Sequence, residues 1–368
     1  MKISKIVLRV AVVMLVLVVV AELLVRLLFS QPLDPGRKFI FANEIPGLKE
    51  KVTVRLDANQ VRGFDSTRPK ASGSVRILCV GGAATATMLQ NAEDTWWGQL
   101  GKQLEEATGQ KVEIGCVGAP DSVAIISGAQ WLDHILGEVD DVDLVIAMGG
   151  RVELLHPRAD FVFDPEAIEP VRIEKRGGLM FGLAKMSHLV RVARNMHINS
   201  KRNEQQRRFA PTNYLRDRFA LAGQAYRSIP TAGTPSGSGD AIDAYLYGIG
   251  MLVEVCKSSG TQLVLVGEPT IFSSLMEPEA AAALHTPVHV GPGAEEFVRP
   301  VPGWVDQELA RFYGAGKSVA DSAGVPFVNL QGVVLPTREN FFNESIVTDL
   351  GASRLGSALL PVAKAALE

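Results

Sequence analysis

The chain has 368 residues, 47% hydrophobic and 21% charged, with a formal net charge of -3, the make-up of a globular protein with one large domain plus insertions or two smaller ones. That balance carries no basic signature for nucleic acid. The three cysteines, Cys79, Cys116 and Cys256, show no metal-ligand or Cys-x-x-Cys spacing, so neither a metal nor another cofactor is expected.

Ile6 to Phe29 is a mainly apolar stretch whose unbroken core, Val10 to Ala21, is preceded by Lys2, Lys5 and Arg9. A bilayer core takes about 20 apolar residues, and the basic flank places the N-terminus in the cytoplasm. The expectation is a single-pass signal anchor over residues 1–30 in the inner (cytoplasmic) membrane, with the bulk of the chain on the periplasmic side. A cleaved signal peptide ending near Val19 and Ala21 is the alternative. The apolar run continues to Leu28, which suits a span better. Glu22 and Arg26, four apart on one helix face, either pair with each other or meet a partner helix.

Residues 31–74 carry Pro32, Pro35, Gly36, Pro46, Gly47 and Pro69 between short β-like pieces and read as a linker and lead-in ribbon. From residue 75 to 368, apolar runs of strand length recur at Val75–Val80, Val112–Val117, Leu144–Met148, Gln262–Val266 and Pro326–Leu330, with helical patterns between them. Strands alternating with helices predict a parallel sheet covered on both faces, with ligands bound beyond the C-terminal ends of the strands. Residues 156–243 are an insertion in this scheme. They hold Arg191, Arg194, Lys201, Arg202, Arg207 and Arg208, which either form a solvated face or meet anionic lipid or an acidic polymer, and then the flexible stretch "IPTAGTPSGSGD".

Three blocks and a closing segment fall at the strand ends. The first strand runs into Gly81-Gly82-Ala83-Ala84-Thr85, followed by an acidic residue, Thr-Trp and a Leu in "AEDTWWGQL". The second gives Cys116-Val117-Gly118, and the third, "DLVIAMGGRVEL", gives Gly149 and Arg151. Near the C-terminus stands "FNESIVTDLG", ahead of an Ala/Leu-rich helix.

This order resembles the SGNH/GDSL hydrolase family from about Val52 onward, including its lead-in "LDANQVRGFDS" and later strand "GTQLVLVGEPTIF". The resemblance implies an α/β fold, an SGNH-hydrolase-like (flavodoxin-like) three-layer sandwich, here carrying one N-terminal transmembrane helix. In that family a serine follows the first strand, and the closing motif Asp-x-x-His supplies the orienting acid and the base, a Ser-His-Asp arrangement. Ala83, Asn343 and Ile346 stand in those three positions. A methyl group cannot attack, an amide holds no charge against an imidazolium, and an isoleucine accepts no proton. The resemblance therefore implies a pseudoenzyme.

Gly118 keeps the second-block glycine, and Arg151 replaces the third-block asparagine with a cation of five donors. Gly82, Gly118 and Arg151 are the candidate ligand-binding residues, for an anionic or carbohydrate ligand. Membrane-anchored relatives accompany membrane acyltransferases, so the resemblance implies a binding or assembly subunit working with such an enzyme or another membrane complex. Two alternatives stay open: an active acyl esterase or acetyltransferase using relocated groups such as Cys116 or Ser122 with His156, and a purely architectural subunit. His285 and His289 are four apart, but Pro287 between them rules out the regular helix a metal pair would use.

Overall fold

The computed structural model describes residues 20, 37–42, 51–57, 59–87, 89–117, 125–139, 141–155, 164–167, 238–274, 276–281, 284, 288–290 and 296–368. The chain divides into two compact units, residues 1–36 with 172–210 and residues 37–171 with 211–368. All elements below belong to the second. Val20 apart, the expected anchor lies outside the described residues, as does nearly all of the 156–243 insertion up to Ser238. No helix among the described residues is long and apolar enough to cross a membrane.

The lead-in forms an antiparallel ribbon of β1 (Arg37–Ala42) and β2 (Lys51–Leu56). Then follow β3 (Val75–Gly81), α1 (Trp96–Thr108), β4 (Val112–Val117), α2 (Ile125–Leu136), β5 (Leu144–Gly149), α3 (Arg151–Leu155) and α4 (Ser238–Ser259). After these come β6 (Gln262–Gly267), α5 (Pro278–Ala281), the antiparallel pair β7 (Val288–Val290) and β8 (Glu296–Val298), α6 (Pro302–Ala323), β9 (Phe327–Asn329) and α7 (Asp349–Leu367).

The five strands expected from the apolar runs form one parallel sheet of order β4-β3-β5-β6-β9. Counted within the sheet this is 2-1-3-4-5, the flavodoxin-like doubly wound order. Helices α1 and α7 pack together, and α4 packs against both α2 and α6, which gives the two outer layers. Strand β5 is buried along its whole length, and β3 is buried after Val75, the reason they read as continuous apolar runs rather than alternating ones.

Helix boundaries follow local chemistry. Thr95 caps α1 through its hydroxyl, which accepts from Gly98 N at 3.1 Å, and Gly109 ends the helix in the left-handed region at φ 70°. Thr348 caps α7 in the same way, accepting from Gly351 N at 3.2 Å. Between β5 and α3, Gly150 holds φ 120°, and a Cβ there would meet the Tyr313 ring. This glycine lets the chain turn sharply and place Arg151 directly after the end of β5.

Candidate functional site

The C-terminal ends of the central strands lie level: Gly81 is in register with Met148, and Gly149 with Gly267. The turn that follows β3 closes on itself, with Gly82 O accepting from Thr85 N at 3.0 Å and from Ala86 N at 2.9 Å. Gly82 is buried and Ala83 half-buried. Two aromatic and cationic props hold this turn from behind. Trp97, buried in α1, donates from Nε1 to Thr85 O at 3.0 Å. Arg62, 2% exposed, donates from its guanidinium to Thr87 O and Gln90 O and sits over the Trp97 ring at 5.7 Å. The Arg62 backbone also exchanges hydrogen bonds with Cys116, at 3.0 and 2.7 Å, so a single lead-in residue fastens both the first turn and the end of β4.

Arg62 is itself placed by a tight loop around Asp57. That carboxylate accepts from Asn59 N at 2.9 Å, Val61 N at 2.8 Å and Ser66 N at 2.7 Å, and from the Ser66 hydroxyl. Burial outweighs these bonds and lifts the Asp57 pKa from 3.8 to about 6. The native state thus holds this proton more tightly than the unfolded chain. Its contribution is complete below about pH 4 and is lost as pH rises through about 6. Between pH 4 and 7 the protein is expected to lose about 2–3 kcal/mol of stability relative to Asp57→Asn, read as diverging urea midpoints; parallel midpoints would exclude the effect.

The closing segment returns to the same edge. Gln90 Nε2 donates to Asp349 Oδ1 at 2.9 Å, and Ile271 N, just past β6, donates to Glu344 O at 3.0 Å. Asn343 Oδ1 accepts from Ser345 N at 3.0 Å and from Ile346 N at 2.7 Å, while Phe342 N donates to Ile346 O at 2.8 Å. The amide is therefore engaged in shaping its own turn, as Asn side chains do. Ile346 is buried with its neighbours Ser345 and Val347.

Arg151 occupies the place expected from the third block, at the start of α3, but its charge is balanced. Its Nε donates to Glu268 Oε1 at 2.9 Å, with side chains 5% and 2% exposed. Burial disfavours the guanidinium's charge, yet the nearby carboxylates of Glu268 and Glu344 favour it more, and the net shift is upward. Beside it, Glu153 accepts from Gly150 N at 2.7 Å and from Ile125 N. Burial raises the Glu153 pKa against those bonds. The edge thus holds a buried arginine among three buried glutamates rather than an uncommitted cation.

Of the relocated groups, Cys116 is buried, and burial pushes its thiol up to about 11 even with Arg62 pulling the other way, the reverse of what a thiolate nucleophile needs. Gly118, Ser122 and His156 lie outside the described residues. His134, the histidine whose side chain is described, sits exposed in the last turn of α2, which leads into the N-terminal end of β5, away from Ala83. Among the described residues no group of His, Cys, Asp or Glu could hold a metal ion.

The sequence points to Ala83, Asn343, Ile346 and Arg151, and the strand ends and hydrogen bonds bring their segments to one edge of the sheet. No sequence pattern assigns a site role to Arg62, Trp97, Glu153 or Glu268. Glu268 stands in the Glu-Pro that follows β6, and Arg62 in the lead-in motif, but neither position announces its partner.

No protein-family model matches the sequence, and no curated protein matches it. Among solved structures, the inhibitor-bound aryl esterase of M. smegmatis aligns at 14% identity with a TM-score of 0.42, over 80% of this chain and 100% of its own. Est24, a carbohydrate acetylesterase from Sinorhizobium meliloti, aligns at 13% identity with a TM-score of 0.41, over 79% and 99%. Axe2, an acetylxylan esterase from Geobacillus stearothermophilus, aligns at 10% identity with a TM-score of 0.41, over 79% and 95%. At these scores the likeness adds no weight, and the fold class rests on strand order and register.

Proposed function

We propose that this chain is a catalytically inactive, SGNH-hydrolase-like envelope protein. An N-terminal segment anchors it in the inner membrane, and it serves as a binding or assembly subunit of a membrane complex, such as one built on an acyltransferase. The observation that carries this reading is the state of Asn343: its amide oxygen is engaged by Ser345 N and Ile346 N, in the position where an orienting carboxylate would face a histidine. With Ala83 and Ile346 at the other two positions, no proton can be taken up or delivered there. Loss of a serine or histidine from such a triad costs on the order of a million-fold in turnover.

The strand-end edge remains a place for a ligand, beside Gly82 and the Arg151 segment. Because Glu268 balances Arg151, a neutral polar ligand such as a carbohydrate suits this edge better than an anion. Affinity purification of the tagged full-length chain from native membranes tests the role. A stoichiometric membrane protein is expected to co-purify, and Ala83→Trp, which fills the edge, is expected to reduce carbohydrate binding. Purification of the chain alone would overturn the subunit role, and a partner retained with carbohydrate binding unchanged would leave only the architectural one.

A further inference from the structure

A cleft of about 640 Å³ lies on the flank of the sheet, between the lead-in segment, α1 and the first residues of the edge strand β4. It falls within the size range of small-ligand sites and is separate from the strand-end edge. Phe64, Trp97, Val112 and Ile114 supply its apolar lining.

Most of the charges around it are already committed. Arg76 pairs with Glu113 at 2.7 Å and Arg68 with Asp65 at 2.9 Å, and Glu105 Oε1 accepts from Val112 N at 2.8 Å. Lys102 and Lys111 also line the cleft and are exposed. Among the described residues neither pairs with a carboxylate, and Glu93 and Glu105 are the lining carboxylates outside an ion pair, Glu105 keeping its charge while one oxygen accepts from Val112 N.

The edge strand adds a backbone donor. Cys116 exchanges both of its backbone bonds with Arg62 on the outer side of β4, and Val112 N also turns outward to Glu105. Ladder bonds alternate along a strand, so the N–H of Ile114, midway between them, faces the same outer side, toward the cleft that Ile114 lines.

We infer that this cleft binds a small amphiphilic anion, with an apolar or ring-shaped body against Phe64 and Ile114 and its acidic group between Lys102 and Lys111, beside the Ile114 amide. The two lysine ammoniums and the Ile114 N–H converge here as donors for an acid's oxygens, and the apolar lining rewards a body that leaves water.

Titration of the purified chain with 8-anilinonaphthalene-1-sulfonate, an aromatic sulfonate, tests this. Binding by the native protein is expected to weaken at least tenfold in Lys102→Ala/Lys111→Ala and to be unchanged in the control Lys317→Ala/Lys364→Ala, with thermal midpoints of all three alike. No binding by the native protein, or equal binding by both double variants, would overturn the inference. Competition then identifies the body. Displacement by glucuronate points to an acidic sugar, displacement by 1-naphthoate alone to an aromatic or lipid-like acid, and displacement by neither overturns the assignment of an anion site.

Discussion

Replacing Arg151 by methionine is expected to cost about 3–5 kcal/mol of folding stability. The substitution keeps much of the side-chain volume but leaves the Glu268 carboxylate, 1% exposed, without its cation. A buried pair adds little when compared with apolar residues of the same shape, whereas half of a pair is strongly destabilising. The double variant Arg151→Met/Glu268→Leu is therefore expected to recover at least half of the loss. What remains reports Glu344, whose charge also acts on Arg151. Urea midpoints with an unchanged slope measure this. A single-variant cost below about 1 kcal/mol would mean that the pair is not desolvated.

The second large effect is expected at Arg62. Arg62→Met keeps an apolar stem over Trp97 but withdraws the guanidinium from Thr87 O and Gln90 O, leaving two carbonyls without their charged donor. The expected cost is about 3 kcal/mol. It should fall locally, as faster amide exchange across residues 82–90, because Arg62 ties that loop to the lead-in segment. Arg62→Lys is expected to restore less than half, since a single ammonium does not reproduce the fork that spans both carbonyls. Unchanged exchange in that loop would show that Arg62 serves packing alone.

The parallel sheet was legible because its central strands are buried on both faces and so appear as apolar runs between helical patterns. Each of the five begins and ends within one residue of its expected bounds. The turn carrying Ala83 was legible from Gly81 and Gly82, and α7 from the Ala/Leu-rich run that follows the closing motif. Partnerships were not. Arg151 was visible as a charge at a strand end, but Glu268 lies in another strand's exit loop, and only the level register of β5 and β6 brings the two together. Asn343 stood out as an amide in place of an acid, whereas its positive role depends on the turn through Ile346 that only the folded backbone displays. Arg62 is the clearest omission: its side chain and its backbone serve two different segments, and no local pattern records that.

The central claim, that Ala83, Asn343 and Ile346 leave the three triad positions without a nucleophile, an orienting acid or a base for acyl transfer, is tested most directly by exposing the purified chain to a fluorophosphonate probe alongside an acetyl-ester assay. The account predicts no covalent adduct and hydrolysis no faster than in buffer, from pH 5 to 9. A stoichiometric adduct on one defined residue, with ester turnover that the probe abolishes, would contradict it.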